Sequence, residues 1–291
     1  MIEKLVLGTV QLGLPYGINN TSGKPSLDAA KSLLSTAFNA GIRCVDTAEA
    51  YGDSQRVIGA YHRENANKFC VITKYNGGQA FSTAAGFRNH FLHNLPLLGV
   101  SSLEAYLFHN YNVYQDFDHW EALEHLVAEG YIKHLGVSVY TNEQAEDVSF
   151  DDRIKVVQLP FNLLDNFSLR GDTLTRLRER RKEVHIRSVF LQGLFYKSRE
   201  QLGKLFPLRK HLEQLDGLAA EQQLPIGALA LGYCLQQPLI DKVLIGVETE
   251  AQLLENIALA RQAKSMDGGL FQVIDDIAVS TPELLNPTNW S

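Results

Sequence analysis

From end to end the chain alternates between short apolar runs and longer stretches with helical spacing, and this alternation constrains its fold more than any other feature. Eight runs read as strands: Lys4–Gly8, Arg43–Asp46, Phe69–Lys74, Glu104–His109, His134–Ser138, Val156–Leu159, His185–Phe190 and Lys242–Gly246. The segments between them carry helix signals. Ser26 can cap a helix whose stripe is Leu27, Ala30, Leu34, Ala37 and Phe38 and which stops at Gly41. Trp120–Glu129 places Leu123, Leu126 and Val127 on one face before Gly130. Asp172 is expected to open a helix carrying Leu174 and Leu177, and Thr249 to Gln252 has capping-box spacing ahead of Leu253, Ile257 and Ala260. Such a repeat implies a parallel sheet covered by helices. Eight units can close into a (β/α)8 barrel, which removes both sheet edges, whereas an open doubly wound sheet keeps them. No Pro/Gly/Ser-rich linker divides the chain. The expectation is therefore an α/β protein: one domain over residues 1–291, a single (β/α)8 TIM barrel. Residues 267–291 form a C-terminal helical extension with a helix over Leu270–Val279.

Charge and cysteine usage exclude several functions. Acidic residues outnumber basic ones, 33 to 27, in a chain of 291 residues with net charge −6. A chain so charged has no global attraction for nucleic acid or anionic membrane, and neither is expected as a partner. Cys44, Cys70 and Cys234 are too widely spaced for a disulfide framework or a CxxC zinc site. His90 and His93 stand at i and i+3 without a third ligand nearby, so an exposed polar face and no metal are expected. The run Arg176–Lys182 reads as solvated helix surface. The N-terminus shows no basic region followed by an apolar stretch, and the longest apolar run, Gly227 to Leu235, is too short for a bilayer. A cytoplasmic protein, monomer or weak homo-oligomer, is the expectation.

Ionisable residues fall at the C-terminal ends of consecutive strands: Asp46, Lys74 and His109, with Tyr51 in the turn beyond Asp46. In a barrel those ends open onto one mouth, where barrel active sites lie. A free tyrosine titrates near pH 10, too high to share a proton readily at neutrality. A neighbouring Lys74 ammonium would lower that value, and Asp46 would keep the ammonium charged and oriented. Tyr51 then serves as a general acid, and His109 can donate to the same substrate oxygen. This is equipment for polarising a carbonyl; a redox reaction would need a cofactor to supply hydride.

The stretch Asp46-Thr47-Ala48-x-x-Tyr51-Gly52, with Lys74 and His109 at the next strand ends, resembles the aldo-keto reductase family. Glu129 to Lys133 leading to Gly136-Val137-Ser138, Gln158 with Asn162-Leu163-Leu164, and Gly246 to Asn256 are similar to further family segments in the same order. The resemblance implies a barrel that binds a nicotinamide dinucleotide, NADP by family default or NAD, without a Rossmann domain. No GxGxxG follows any strand. It implies Asp46, Tyr51, Lys74 and His109 as the catalytic set, and Ser138 and Gln158 as partners of the nicotinamide amide. Gly8, Thr9 and Asp46 lie beside the cofactor on this reading; Arg187, Ser188, Leu191, Gly193, Gly246, Glu248, Thr249, Gln252, Glu255 and Asn256 complete its site. A helix N-terminus near Thr249 suits phosphate even on an acidic protein.

Three features depart from the family pattern. Val139 stands where Asn usually follows Ser138, and Arg187 stands where an aromatic ring commonly stacks on the nicotinamide. A guanidinium can stack there but disfavours the oxidised, cationic ring. Glu248, Thr249 and Gln252 offer no cation for a 2′-phosphate, which makes NAD use a live alternative. Substrate contacts are expected from Tyr16, Tyr51, His109, Asn110 and Tyr140, with Tyr75, Tyr111 and Phe161 as further rim aromatics. A mixture of aromatics and Asn suits a sugar-like carbonyl, and the opening Leu7 to Gly13 with Tyr16-Gly17 is similar to bacterial reductases of such substrates. The function expected is reduction of an aldehyde or ketone to an alcohol with NAD(P)H. A Schiff-base aldolase using Lys74, or a non-catalytic nucleotide-binding subunit, are the alternatives.

Overall fold

The apolar runs pair in chain order, each parallel to the next, and the last returns to the first. The computed structural model describes residues 1–18, 20, 23–263, 266 and 268–290. Its strands are β1 (Leu5–Gly8), β2 (Cys44–Asp46), β3 (Cys70–Tyr75), β4 (Leu103–Phe108), β5 (Ile132–Ser138), β6 (Ile154–Pro160), β7 (Glu183–Arg187) and β8 (Lys242–Gly246). They form a closed barrel in the order β1 to β8, sealed by the β1–β8 register Leu5↔Val243 to Gly8↔Gly246. The protein is thus a (β/α)8 TIM barrel.

The connecting helices are α1 (Val10–Gly13), α2 (Leu27–Asn39), α3 (Ser54–Glu64), α4 (Ala84–Leu98), α5 (Tyr111–Gln115) and α6 (Trp120–Ala128). They continue as α7 (Asn142–Ser149), α8 (Phe167–Glu179), α9 (Arg209–Glu221), α10 (Ile226–Gln236), α11 (Glu250–Gln262) and α12 (Gly268–Asp275). Ser26 caps α2 by accepting from the Ala29 N–H, Thr141 and Gln144 form a capping box on α7, and Thr249 caps α11. Residues Gly227 to Leu235 of α10 are all buried, because this helix is covered by α9 and α11 instead of facing water.

Strand period 2 sorts the core into two parts. Val6, Cys44, Ile72, Ala105, Leu107, Val156 and Leu244 form a small apolar cluster in the lumen. The alternate residues, among them Leu5, Leu7, Val45, Val71, Tyr106 and Val157, join the larger core beneath the helices. The lumen is narrow at Gly136, where a Cβ would approach the Val156 carbonyl to 2.6 Å and the Leu107 Cγ to 2.9 Å.

Several boundaries differ from the sequence reading. Helix α8 starts at Phe167, not Asp172, because Asn166 accepts from the Ser168 N–H at 3.0 Å and caps it. The same Asn166 amide donates to the Ile274 and Ile277 carbonyls at 2.7 and 2.9 Å, tying α8 to the C-terminal extension. Strand β7 ends at Arg187, short of Phe190, because Ser188 turns into the left-handed region at φ 64°. The extension holds α12, four residues shorter at its C-terminal end than expected, and then turns at Pro282–Leu285 and Pro287–Asn289. Its first and last residues, Asp267 and Ser291, lie outside the described residues. Within the Arg176–Lys182 run, Lys182 is buried: its ammonium donates to the Asp151 and Ile154 carbonyls at 2.8 and 2.7 Å. No helix of the described residues is long and apolar enough to cross a membrane.

Candidate active site

The strand period that fills the lumen also supplies the chemistry above it. Two residues beyond Cys44, Ile72 and Val156 on their strands stand Asp46, Lys74 and Gln158, and Ser138 follows Gly136 by the same step. These side chains therefore point inward at the C-terminal rim. With Tyr51, His109 and Arg187 they line a cavity of about 690 Å³ at the barrel mouth.

At its base, the Lys74 ammonium donates to Asp46 Oδ1 and to the Thr47 carbonyl at 3.2 Å. The two charged side chains are 2% and 3% exposed, so this is a buried ion pair. Asp46 Oδ2 accepts from Gln158 Nε2 at 2.9 Å, and Gln158 Oε1 is left buried without a partner. Burial lowers the Lys74 pKa, with the Asp46 charge acting against it. The ammonium lies 5.4 Å from the Tyr51 ring centroid, and that ring meets the His109 imidazole edge to face at 5.5 Å.

The Tyr51 phenol is raised above its ordinary value of 10, first by burial and then by the Asp46 carboxylate. This corrects the expectation that the phenol is lowered: loss of water, with the Asp46 charge adding to it, outweighs the opposing Arg187 guanidinium. Tyr51 keeps its proton at neutral pH. His109 moves the other way, down to about 4, by burial and by the Lys74 charge, so its imidazole is neutral.

Backbone and hydroxyl bonds hold Tyr51 in place. The Thr47 and Glu49 N–H groups donate to the Ile72 and Lys74 carbonyls at 2.8 and 3.0 Å, extending the β2–β3 pairing into the turn. Ser54 Oγ donates to Thr9, and Thr47 Oγ1 donates to Ser54 Oγ at 3.0 Å. Glycine is required at position 13, where a Cβ would sit 1.7 Å from the Tyr51 carbonyl oxygen. Below the turn, Glu49 Oε1 accepts from Tyr106 Oη at 2.7 Å and from Asn94 Nδ2 at 3.0 Å. His90 Nε2 lies 3.2 Å from Glu49 Oε2, and that carboxylate raises the His90 pKa. His90 thus belongs to this half-buried cluster and not to an exposed face; His93 is exposed. Among the described residues no group of three or more His, Cys, Asp or Glu is placed to hold a metal ion.

Most expected residues line the cavity: Gly8, Thr9, Tyr16, Asp46, Tyr51, Lys74, His109, Ser138, Tyr140, Gln158, Arg187, Ser188, Gly193, Gly246, Glu248, Gln252, Glu255 and Asn256. Asn110, Leu191 and Thr249 do not. Asn110 turns away to cap α5 through the Val113 N–H, Leu191 is buried in the core, and the Thr249 hydroxyl is committed to the Gln252 N–H. The rim aromatics are also elsewhere: Phe161 stacks on Tyr233, Tyr75 packs on Phe87 and Phe117, and Tyr111 bonds Asp147. Residues not anticipated include Gln11, Gln192, Pro287 and Thr288. A lone amide in the apolar run Leu7 to Gly13 was a usable signal for Gln11. Gln192 enters because residues 191–193 all have positive φ, and its amide reaches Tyr16 Oη at 3.0 Å. Pro287 and Thr288 arrive with the C-terminal turns, for which no local pattern exists.

Comparison with known proteins decides the lineage. The model of the Aldo/keto reductase family matches residues 4–268. The chain belongs to the aldo/keto reductase family. It is accordingly an oxidoreductase of the carbonyl–alcohol kind. A D-threo-aldose 1-dehydrogenase of Pseudomonas sp. is 24% identical, over 85% of this chain and 88% of that protein. Among solved structures, the holo form of the aldo-keto reductase AKR11C1 from Bacillus halodurans superposes with a TM-score of 0.74 at 19% identity, covering 94% of this chain and 92% of that one. A structure from Pseudomonas aeruginosa assigned to the aldo-keto reductases gives 0.66 at 21%, covering 89% and 90%. At those identities the structural likeness concerns the fold alone.

Proposed function

We propose that this aldo/keto reductase reduces an aldehyde or ketone to an alcohol with a nicotinamide dinucleotide, Tyr51 acting as general acid. The observation that carries the reading is the convergence of a proton-retaining phenol, a neutral imidazole and a buried Lys–Asp pair on the wall of one cavity.

The residues present fit the cofactor. Gln158 Oε1, buried and unpaired, is the acceptor a carboxamide N–H requires, and Ser138 lies beside it on the register Ser138↔Gln158. Gly8 and Gly246 keep the adjoining wall flat, since a Cβ on Gly246 would press on the Gln11 amide at 2.6 Å. When bound, the dinucleotide supplies hydride to the carbonyl carbon. Tyr51 Oη gives its proton to the carbonyl oxygen, and His109 donates a hydrogen bond to that same oxygen. Because burial raises the Tyr51 pKa, the phenolate left behind needs a counter-charge, which Lys74 supplies while Asp46 holds it in position. Solvent then restores the phenol proton.

The adenosine end of the cavity carries Glu248 and Glu255, and its only basic lining side chains among the described residues are Lys74, His109 and Arg187 at the reacting end. That charge pattern favours NADH over the family default NADPH, because a 2′-phosphate would meet carboxylates there. The aldolase alternative needs a free amine at Lys74, whereas this ammonium is bonded to a carboxylate and a carbonyl. Fluorescence titration with NADH and NADPH, followed by a panel of aldehydes, ketones and sugars, tests the reading. Tyr51→Phe is expected to lower turnover by at least about a hundredfold while cofactor affinity changes less than threefold. Wild-type turnover in that variant removes Tyr51 from the reaction. Borohydride trapping of substrate on Lys74, without nucleotide, would replace the reductase with an aldolase.

A further inference from the structure

Arg187 ends β7 on the lumen face and lines the cavity beside Tyr51 and His109. Its guanidinium lies 4.1 Å over the Tyr140 ring, and its Nη2 donates to the Val139 carbonyl at 3.1 Å. Both supports are themselves fixed. The Val139 N–H donates to the Gln158 carbonyl at 2.8 Å, and the Tyr140 N–H to Gln144 Oε1 at 2.9 Å. The Tyr140 carbonyl accepts from Arg170 Nη2 at 2.9 Å, and Arg170 is locked to the buried Asp165 by bonds of 2.6 and 2.9 Å. The guanidinium is therefore already ordered, and little freedom remains to be lost on binding a ligand.

Its charge is unbalanced. Lys74 is neutralised by Asp46, but among the described residues no carboxylate lies within ion-pair distance of Arg187. Asp165 feels its field, yet both Asp165 oxygens are taken by Arg170. Tyr51 and His109 are uncharged at neutral pH, so the reacting end of the cavity holds one net positive charge. The field of Arg187 reaches Tyr51, His109 and Lys74. An ordered, half-buried fork of N–H donors with no counter-ion matches a carboxylate.

We propose that Arg187 receives an anionic group of the substrate itself, a carboxylate on the same small molecule as the reacting carbonyl. The preferred substrates are then oxo acids or uronate-type aldehydes, and not neutral aldoses. This rests on the carbonyl-reductase reading above and names its substrate class. The cofactor pyrophosphate is the other anion that could reach Arg187, and the experiment separates the two.

Matched pairs differing in one carboxylate supply the test: 2-oxobutanoate against 2-butanone, and D-glucuronate against D-glucose, each with saturating NADH. The anionic member is expected to have the higher kcat/KM, by tenfold or more. Arg187→Met keeps the length and the contact with Tyr140 but removes the charge; it should lower the anionic-to-neutral ratio by about tenfold to a hundredfold, the range of a hydrogen bond to a charged group. Arg187→Lys should recover part of that ratio. A ratio unchanged in Arg187→Met, or a wild-type preference for the neutral members, overturns the proposal. So does a fall in NADH affinity equal to the fall in kcat/KM, which would assign Arg187 to the pyrophosphate. Failure to oxidise NADH with any carbonyl, charged or neutral, sinks the reductase reading and this proposal with it; a reductase preferring neutral substrates sinks this proposal alone.

Discussion

Asp46→Asn removes one charge from the buried pair while conserving volume. In the native site Asp46 accepts from Lys74 at one oxygen and from Gln158 Nε2 at the other. Asn offers one acceptor only. With its oxygen kept for Lys74, its amide faces the Gln158 amide, and Gln158 must turn so that Oε1 accepts. That turn repairs one neutral bond, worth about 1 kcal/mol, against the ~3–5 kcal/mol of breaking a buried ion pair. The net loss of stability at pH 7 is about 2–4 kcal/mol. The pH dependence has a definite sign. Burial already holds the Lys74 pKa below its unfolded value of 10.5, and losing Asp46 lowers it further. Below 10.5 the unfolded chain binds a proton that the folded variant refuses, so the variant gains stability as pH rises through that window. The native Lys74, held up by Asp46, is less depressed and gains less over the same window, so the variant's deficit should shrink between pH 7 and pH 9.5. Urea unfolding followed by far-UV circular dichroism at the two pH values measures this. Because the Gln158 acceptor is also lost to the cavity, NADH should bind about threefold to tenfold more weakly. A deficit below about 1 kcal/mol at pH 7, or one independent of pH, would refute the claim that a buried charge pair carries the site.

Gly13→Ala would drive a Cβ into the Tyr51 carbonyl and to 2.7 Å from the Ser54 nitrogen. Displacing the phenol by about 1 Å should cut kcat by roughly a hundredfold, with NADH affinity little changed in a fluorescence titration. His109 titrates near 4 in the folded protein and near 6.5 unfolded, so its contribution is complete above pH 6.5 and is lost as pH falls toward 4. His109→Gln should therefore lose about 2–3 kcal/mol less than the native protein over that interval, by urea unfolding at pH 7 and 4.5. Glu248→Lys should raise NADPH affinity relative to NADH by about tenfold, the scale of one charge-assisted bond; an unchanged ratio of dissociation constants would place the 2′-hydroxyl elsewhere.

The strands and the inward residues near their C-terminal ends were legible because both depend on local pattern. An apolar run of a few residues can form a strand only within a sheet, and period 2 decides which of Cys44, Val45 and Asp46 face the lumen. Hence the repeat of parallel strand and helix, and the inward placement of Asp46, Lys74, Ser138 and Gln158 near their strand ends, follow from the order of residues. The helix start at Asn166 was missed because its cap is written in one side chain's bonds to Ser168 and to the distant Ile274 and Ile277. What tertiary structure alone decided is whatever depends on exclusion of water or on closure across the chain. The rise of the Tyr51 pKa requires knowing how much water the phenol loses, and residue order does not record this. Nor does it record that Gln192 meets Tyr16, that the tail returns Thr288 to the mouth, or that Arg187 rests on Tyr140 with no carboxylate of the described residues within ion-pair distance. Local sequence sets backbone periodicity and which face a side chain takes; the dielectric around a charge and its partners are set by segments that meet only when the barrel closes.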